Sequence, residues 1–158
     1  MTNENKRRGM LWSYAPVLIW LGVIFFLSSS EGSASNTSRI IGPLLHFFFP
    51  DISPERQAFV HFLVRKAAHF TEYGILVFLS ARALIRFGFD RTQWVTWLLP
   101  LLLVVVIAGI DELNQSRETT RTGSVADVLL DLSGGVFASV GGFLVSRAMA
   151  RRKGSDLA

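Results

Sequence analysis

The stretch RKAAHFTEYGILVFLSARAL, residues 65–84, decides how this chain is read. From Ala67 onward it reads as a membrane-spanning helix, yet its first two turns carry Lys66, His69 and Glu72. An ionisable group costs roughly 2.5–3.5 kcal/mol at the centre of a lipid-facing helix. Three of them in two turns therefore stand at a membrane edge or face other protein groups.

Composition supports the membrane reading. Of the 158 residues 50% are hydrophobic and 13 are Phe, with a mean hydropathy of +0.39. That is too apolar for a soluble domain of this size. Four spans of about 20 residues and their connections use nearly all of the chain, which gives one membrane domain over residues 1–158 and no separate soluble domain. The absence of Cys excludes a disulfide framework, a thiolate metal site and a Cys nucleophile. The net charge of +4 and pI near 10.1 do not point to nucleic acid, because the basic residues sit at the ends of apolar runs and not along one face. They read as topology signals, and the lipid bilayer is the expected partner.

The fold expected is all-α: an integral membrane four-helix bundle with a short interfacial segment between spans 1 and 2. The spans fall at about 10–27, 64–85, 94–110 and 125–145. The first follows Lys6, Arg7 and Arg8, as the h-region of a signal peptide would, but its length, two Trp and a Tyr favour a retained span. Residues 28–38 are polar and turn-rich, and IIGPLLHFFFP after them is too short to cross, so it lies at the interface or dips in as a short helix. Ser53 as N-cap, Pro54 at the first helical position and Glu55 behind it start a long helix that runs to about Ile85. Pro100 is expected to kink the third span. Gly134, Ala138 and Gly142, four residues apart in the fourth, form a stripe for close helix packing.

With the N-terminus inside, ten Lys and Arg fall on the inner side and six on the outer. The positive-inside rule then places both termini in the cytoplasm. The start of span 2, the end of span 3 and the start of span 4 emerge together on the outer face. Polar groups collect there. Lys66, His69, Glu72 and Tyr73 share one helical face, Asp111, Glu112 and Gln115 lie within about a turn, and Asp127 and Asp131 are four apart behind Arg121. His69 and Glu72, about 60° apart, are expected to face the interior with Asp127, and Phe70 and Leu76 to lie on other faces.

KAAHFTEYGIL, DELNQSRETTRTGSVADVLLDLSGG and FFLSSSEGSASNTS together resemble the VanZ-like family of small bacterial membrane proteins, whose namesake is associated with resistance to the glycopeptide teicoplanin. The resemblance runs over roughly residues 21–142 and rests on K-x-x-H-F-x-E-Y, D-E-x-x-Q and R-x-x-x-x-x-D in the family's order. By position it carries Lys66, His69, Phe70, Glu72, Tyr73, Asp111, Glu112, Gln115, Arg121, Asp127 and Gly134. The family commonly has Asn where this chain has Asp131. What the resemblance implies is a fold and a cell-envelope setting, without a reaction.

Two functions are open on these residues. In an envelope enzyme His69 would be the general acid or base, Glu72 or Glu112 would orient it, and Lys66 or Arg121 would hold an anionic group. Ser116, Ser124 and Tyr73 are candidate nucleophiles that no spacing separates. In a non-catalytic protein the same face, with Tyr73, Asp111, Gln115, Asp127 and Asp131, would bind an envelope lipid, a cell-wall precursor or a glycopeptide. The cluster could also be structural, with Asp127 paired to Lys66. No metal ligands and no cofactor are expected.

Overall fold

A computed structural model describes residues 3–29, 34–115 and 125–155, and all regular structure among them is helical. The elements are α1 (Asn3–Ser28), α2 (Ala34–Phe48), α3 (Pro54–Arg86), α4 (Trp94–Gln115) and α5 (Val125–Ser155). Residues 116–124, which include Ser116, Arg117, Arg121 and Ser124, lie outside the described residues.

The long helix α3 begins as its sequence dictates. The Ser53 hydroxyl accepts the Arg56 N–H at 3.4 Å, and Pro54 occupies the first turn, where its missing N–H costs nothing. The Glu55 carboxylate sits below its ordinary pKa because its own backbone N–H and the Ser53 hydroxyl donate to it. At 33 residues α3 is about 50 Å long, against a hydrocarbon core of about 30 Å. The helix ends in a turn at Gly88, whose φ of 101° is the left-handed conformation glycine takes readily. The loop after it is tied down. Asp90 accepts from the Thr92 N–H and hydroxyl, both at 2.8 Å, which holds its carboxyl below the usual range. Thr96 and Trp97 of α4 donate back to the Asp90 and Arg91 carbonyls at 2.7 and 3.0 Å.

The packing follows from which residues touch. α3 and α5 run parallel, since Lys66 meets Asp127, His69 meets Asp131 and Gly74 lies against Ala138 in ascending order. α4 runs against them: Trp97 abuts Gly142, while Leu101 and Val104 abut Gly135. α1 is antiparallel to α3, with the Trp20 indole donating to the Glu72 carbonyl at 2.8 Å and Tyr14 stacked near Phe87. The core between them holds Val17, Ile24, Tyr73, Leu76, Val77, Val104 and Ile107. α2 folds back on the first part of α3, where Gly42 faces the Gln57 amide.

Glycine makes the crossings of α5 with α3 and with α4 close. A Cβ at Gly134 would overlap the Phe70 backbone carbonyl, and one at Gly142 the Trp97 ring. Two helices, α4 over Trp94–Leu113 and α5 over Val125–Lys153, are long and apolar enough to cross a membrane. The apolar part of α1, Trp12–Ser28, is shorter, and polar and charged residues dilute that of α3.

As a helix α5 runs on beyond the expected end of span 4 at residue 145 to Ser155, through the basic tail. Two expectations need correcting. The stretch 28–38, read as turn-rich, is helical from Ala34, where the 15-residue α2 begins. Leu76 is fully buried in the core, not on another face. It lies seven residues after His69, which is two turns and almost the same direction.

Candidate polar site

The polar site gathers at one end of the bundle, where α3 begins to meet α5 and where α4 ends. Helical spacing puts Lys66, His69 and Tyr73 on the face of α3 that turns toward α5 and the core, and the parallel course of α5 sets Asp127 and Asp131 beside them at the same pitch. Lys66 is ion-paired with Asp127, and their side chains remain 31% and 16% exposed. Its ammonium also lies 5.3 Å from the centre of the Phe62 ring, a cation–π distance.

One turn deeper, His69 Nδ1 lies 3.2 Å from an Asp131 carboxylate oxygen, with side-chain exposures of 17% and 4%. With Asp131 ionised, its carboxylate only accepts, so Nδ1 would carry the hydrogen in this pair and Nε2 would be the nitrogen left to exchange a proton. Asp131, and not Glu72 or Glu112, is the carboxylate within hydrogen-bond distance of the ring among the described residues. Glu72 is half-buried and near enough to His69 to act on it through charge, and its carbonyl anchors Trp20.

From α4 come Asp111, 2% exposed, and the half-buried Glu112. Both lie within electrostatic reach of Tyr73, as do Glu72 and Asp131. Tyr73 is 0% exposed. Its hydroxyl has no hydrogen-bond partner among the described residues, and neither does Glu112 Oε1. The structure therefore brings Lys66, His69, Glu72, Tyr73, Asp111, Glu112, Asp127 and Asp131 to one region. Arg121 and the Gln115 side chain lie outside what is described.

His69, Asp111 and Asp131 could also hold a metal ion, since each offers one donor atom and these lie within 4.8 Å of one another. One imidazole nitrogen and two carboxylate oxygens suit a borderline divalent cation, although a shared ion would require the donors to close in. Periodicity along each helix could not show this grouping, because its three members come from three helices. The register between α3 and α5 is what pairs His69 with Asp131, and no local signal in the sequence carries it.

No curated protein and no solved structure matches the chain. Over residues 13–146, which include the polar residues of α3, α4 and α5, the chain matches the family described as VanZ/LLP1, and it belongs to that VanZ-like family.

Proposed function

We propose that this chain is a single membrane domain over residues 1–158, a four-span bundle in the bacterial cytoplasmic membrane with both termini in the cytoplasm. Its polar site then stands at the outer membrane edge, where it binds or acts on a cell-envelope component. The spans are α1, the later two-thirds of α3, α4 and α5, with α2 and the start of α3 at the outer interface. Exposed Leu18, Ile19, Phe26, Leu102, Val106 and Phe137 support this reading, being large apolar side chains on several helices that suit contact with lipid.

One observation carries the functional reading. Beside the His69–Asp131 pair, the Tyr73 hydroxyl and Glu112 Oε1 are buried without protein partners among the described residues. An unsatisfied buried polar group costs about 1–3 kcal/mol, and a ligand with its own polar groups recovers that cost. The ligand class we propose is an envelope lipid, a cell-wall precursor or a glycopeptide, and the VanZ-like family membership supports testing it for a role in glycopeptide resistance of the teicoplanin kind. If it catalyses, His69 is the general acid or base, Asp131 orients it, and Lys66 with Arg121 holds an anionic group. A second reading, binding without turnover, is favoured by Lys66 and His69 being engaged with carboxylates of α5.

His69→Gln and Glu112→Gln are expected to lower resistance or ligand binding at least tenfold while membrane insertion and thermal stability stay nearly unchanged. Stable variants with full resistance and binding would remove both residues from the site. Product formed from extracted envelope lipids by the purified protein separates catalysis from saturable binding alone. The topology has its own test, made clean by the absence of native Cys. A cysteine introduced at Thr120 is expected to label in intact cells and one at Ser155 is not; the reverse pattern overturns the orientation.

A further inference from the structure

The far end of the bundle holds a second polar constellation, which the outer site does not use. A cavity of about 400 Å³ lies between the C-terminal parts of α3 and α5 and the start of α4. Arg82, Arg86 and Arg91 line it together with the apolar Phe78, Val145 and Met149, with no carboxylate among the lining residues.

The arginines are brought there by the fold. Arg82 and Arg86 are four apart on α3 and so share a face. Arg91 comes from the tied-down loop, where the turn at Gly88 reverses the chain and the Trp97 indole fixes the Arg91 carbonyl at 3.0 Å. Like charges at this spacing repel one another, and Arg82 is half-buried, so the cavity favours an anion. Planar guanidinium groups match the oxygens of a phosphate, which they can bind two at a time.

The rest of the lining selects among phosphates. Phe78 lies one turn before Arg82 on α3, toward the middle of the bundle, and Val145 lies one turn before Met149 on α5. Phe78, Val145 and Met149 are 56%, 52% and 53% exposed. An apolar strip thus leads from the arginines toward the centre of the bilayer. A free phosphate would use only the arginines, whereas a lipid places its phosphate on them and an acyl chain along the strip. Basic pockets between spans on the cytoplasmic side bind anionic headgroups in the same way.

We infer that this cavity binds an anionic phospholipid of the inner leaflet, its phosphate held by Arg82, Arg86 and Arg91. The inference rests on the four-span reading proposed above. It differs from general attraction to an anionic surface, which the exposed Arg151, Arg152 and Lys153 of the α5 tail supply from outside the cavity.

The test uses the full chain in non-ionic detergent, offered phosphatidylglycerol or phosphatidylcholine at equal subsaturating concentration, with bound lipid counted by native mass spectrometry. Phosphatidylglycerol is expected to be retained in preference to phosphatidylcholine. Arg82→Gln and Arg91→Gln are each expected to weaken its retention about fivefold, and replacing Arg151, Arg152 and Lys153 together by Gln to leave it unchanged. Arg82→Lys, which keeps the charge but loses the planar fork, is expected to fall between and serves if a Gln variant does not fold. Equal retention of the two lipids, or undiminished retention in the cavity variants, overturns the site. Displacement of the lipid by an excess of inorganic phosphate overturns the lipid assignment. Flotation of the protein with reconstituted vesicles checks the membrane reading separately: a chain that stays in the soluble fraction loses that reading, whereas an embedded chain that fails the lipid test loses only the cavity.

Discussion

Gly134→Leu is expected to abolish the native packing of α3 on α5. The added Cβ alone would overlap the Phe70 carbonyl, with the Phe70 Cα only 3.0 Å away. The obstacle is backbone inside a helix, so no rotamer change relieves it. From the other side a Cβ at Gly74 would lie 3.4 Å from the Gly134 carbonyl oxygen, so neither helix has room to slide inward. Overpacking a core typically costs about 1–3 kcal/mol, and this position belongs at or above the upper end. About 3 kcal/mol corresponds to a fall of about 6–12 °C in Tm for a chain of this size. The polar site should fail with the fold, since parting the two helices lengthens the Lys66–Asp127 and His69–Asp131 contacts together. Gly141→Ala is the control: nothing lies within 4 Å of its Cβ position, so it should be neutral or gain up to about 1 kcal/mol of helix propensity. An unchanged melt for Gly134→Leu would show that the crossing is not close.

The second large effect is expected at Asp127→Leu, which leaves the Lys66 ammonium without its carboxylate. Removing one member of a buried pair costs about 3–5 kcal/mol. Lys66 keeps 31% exposure, so water offsets part of that, and about 2–3 kcal/mol is the expected loss in a thermal or denaturant melt. Lys66→Met combined with Asp127→Leu should recover most of it, because neither charge is then stranded. The double variant also separates the roles of the pair. Restored stability with lost resistance or binding assigns a ligand-facing role to one of the charges, and restoration of both assigns the pair to holding α3 on α5. A double variant as unstable as the single would show that the two side chains are not coupled.

Much of this molecule was legible in local sequence, for identifiable reasons. Ser53, Pro54 and Glu55 mark a helix start by chemistry that acts within one turn, and α3 begins there. Lys66, His69 and Tyr73 share a face by spacing alone, and Gly134 and Gly142 stand at close contacts as a small-residue stripe should. The pairing of Asp127 with Lys66 is one the sequence already offers, but the spacing did not give the carboxylate that meets His69. His69 lies by Asp131 because of the register between helices about 60 residues apart in the chain, and register is a property of packed surfaces. The start of α2 was missed for a related reason: a polar run reads as turn by composition, whereas its helix is one that packs on α3. The misplacement of Leu76 was an error of geometry, since seven residues return to nearly the same side of a helix.

The parallel pairing of α3 with α5 also sets an order of events during synthesis. Lys66 and Asp127 are 61 residues apart, His69 and Asp131 62. At about 5–20 residues per second, the ribosome needs about 3–12 s after making Lys66 to reach Asp127. Throughout that interval α3 carries a lysine and a histidine whose carboxylates do not yet exist. A nascent chain stopped before α5 therefore presents unmatched polar groups on α3, a mark by which quality control could tell an unfinished protein from a finished one.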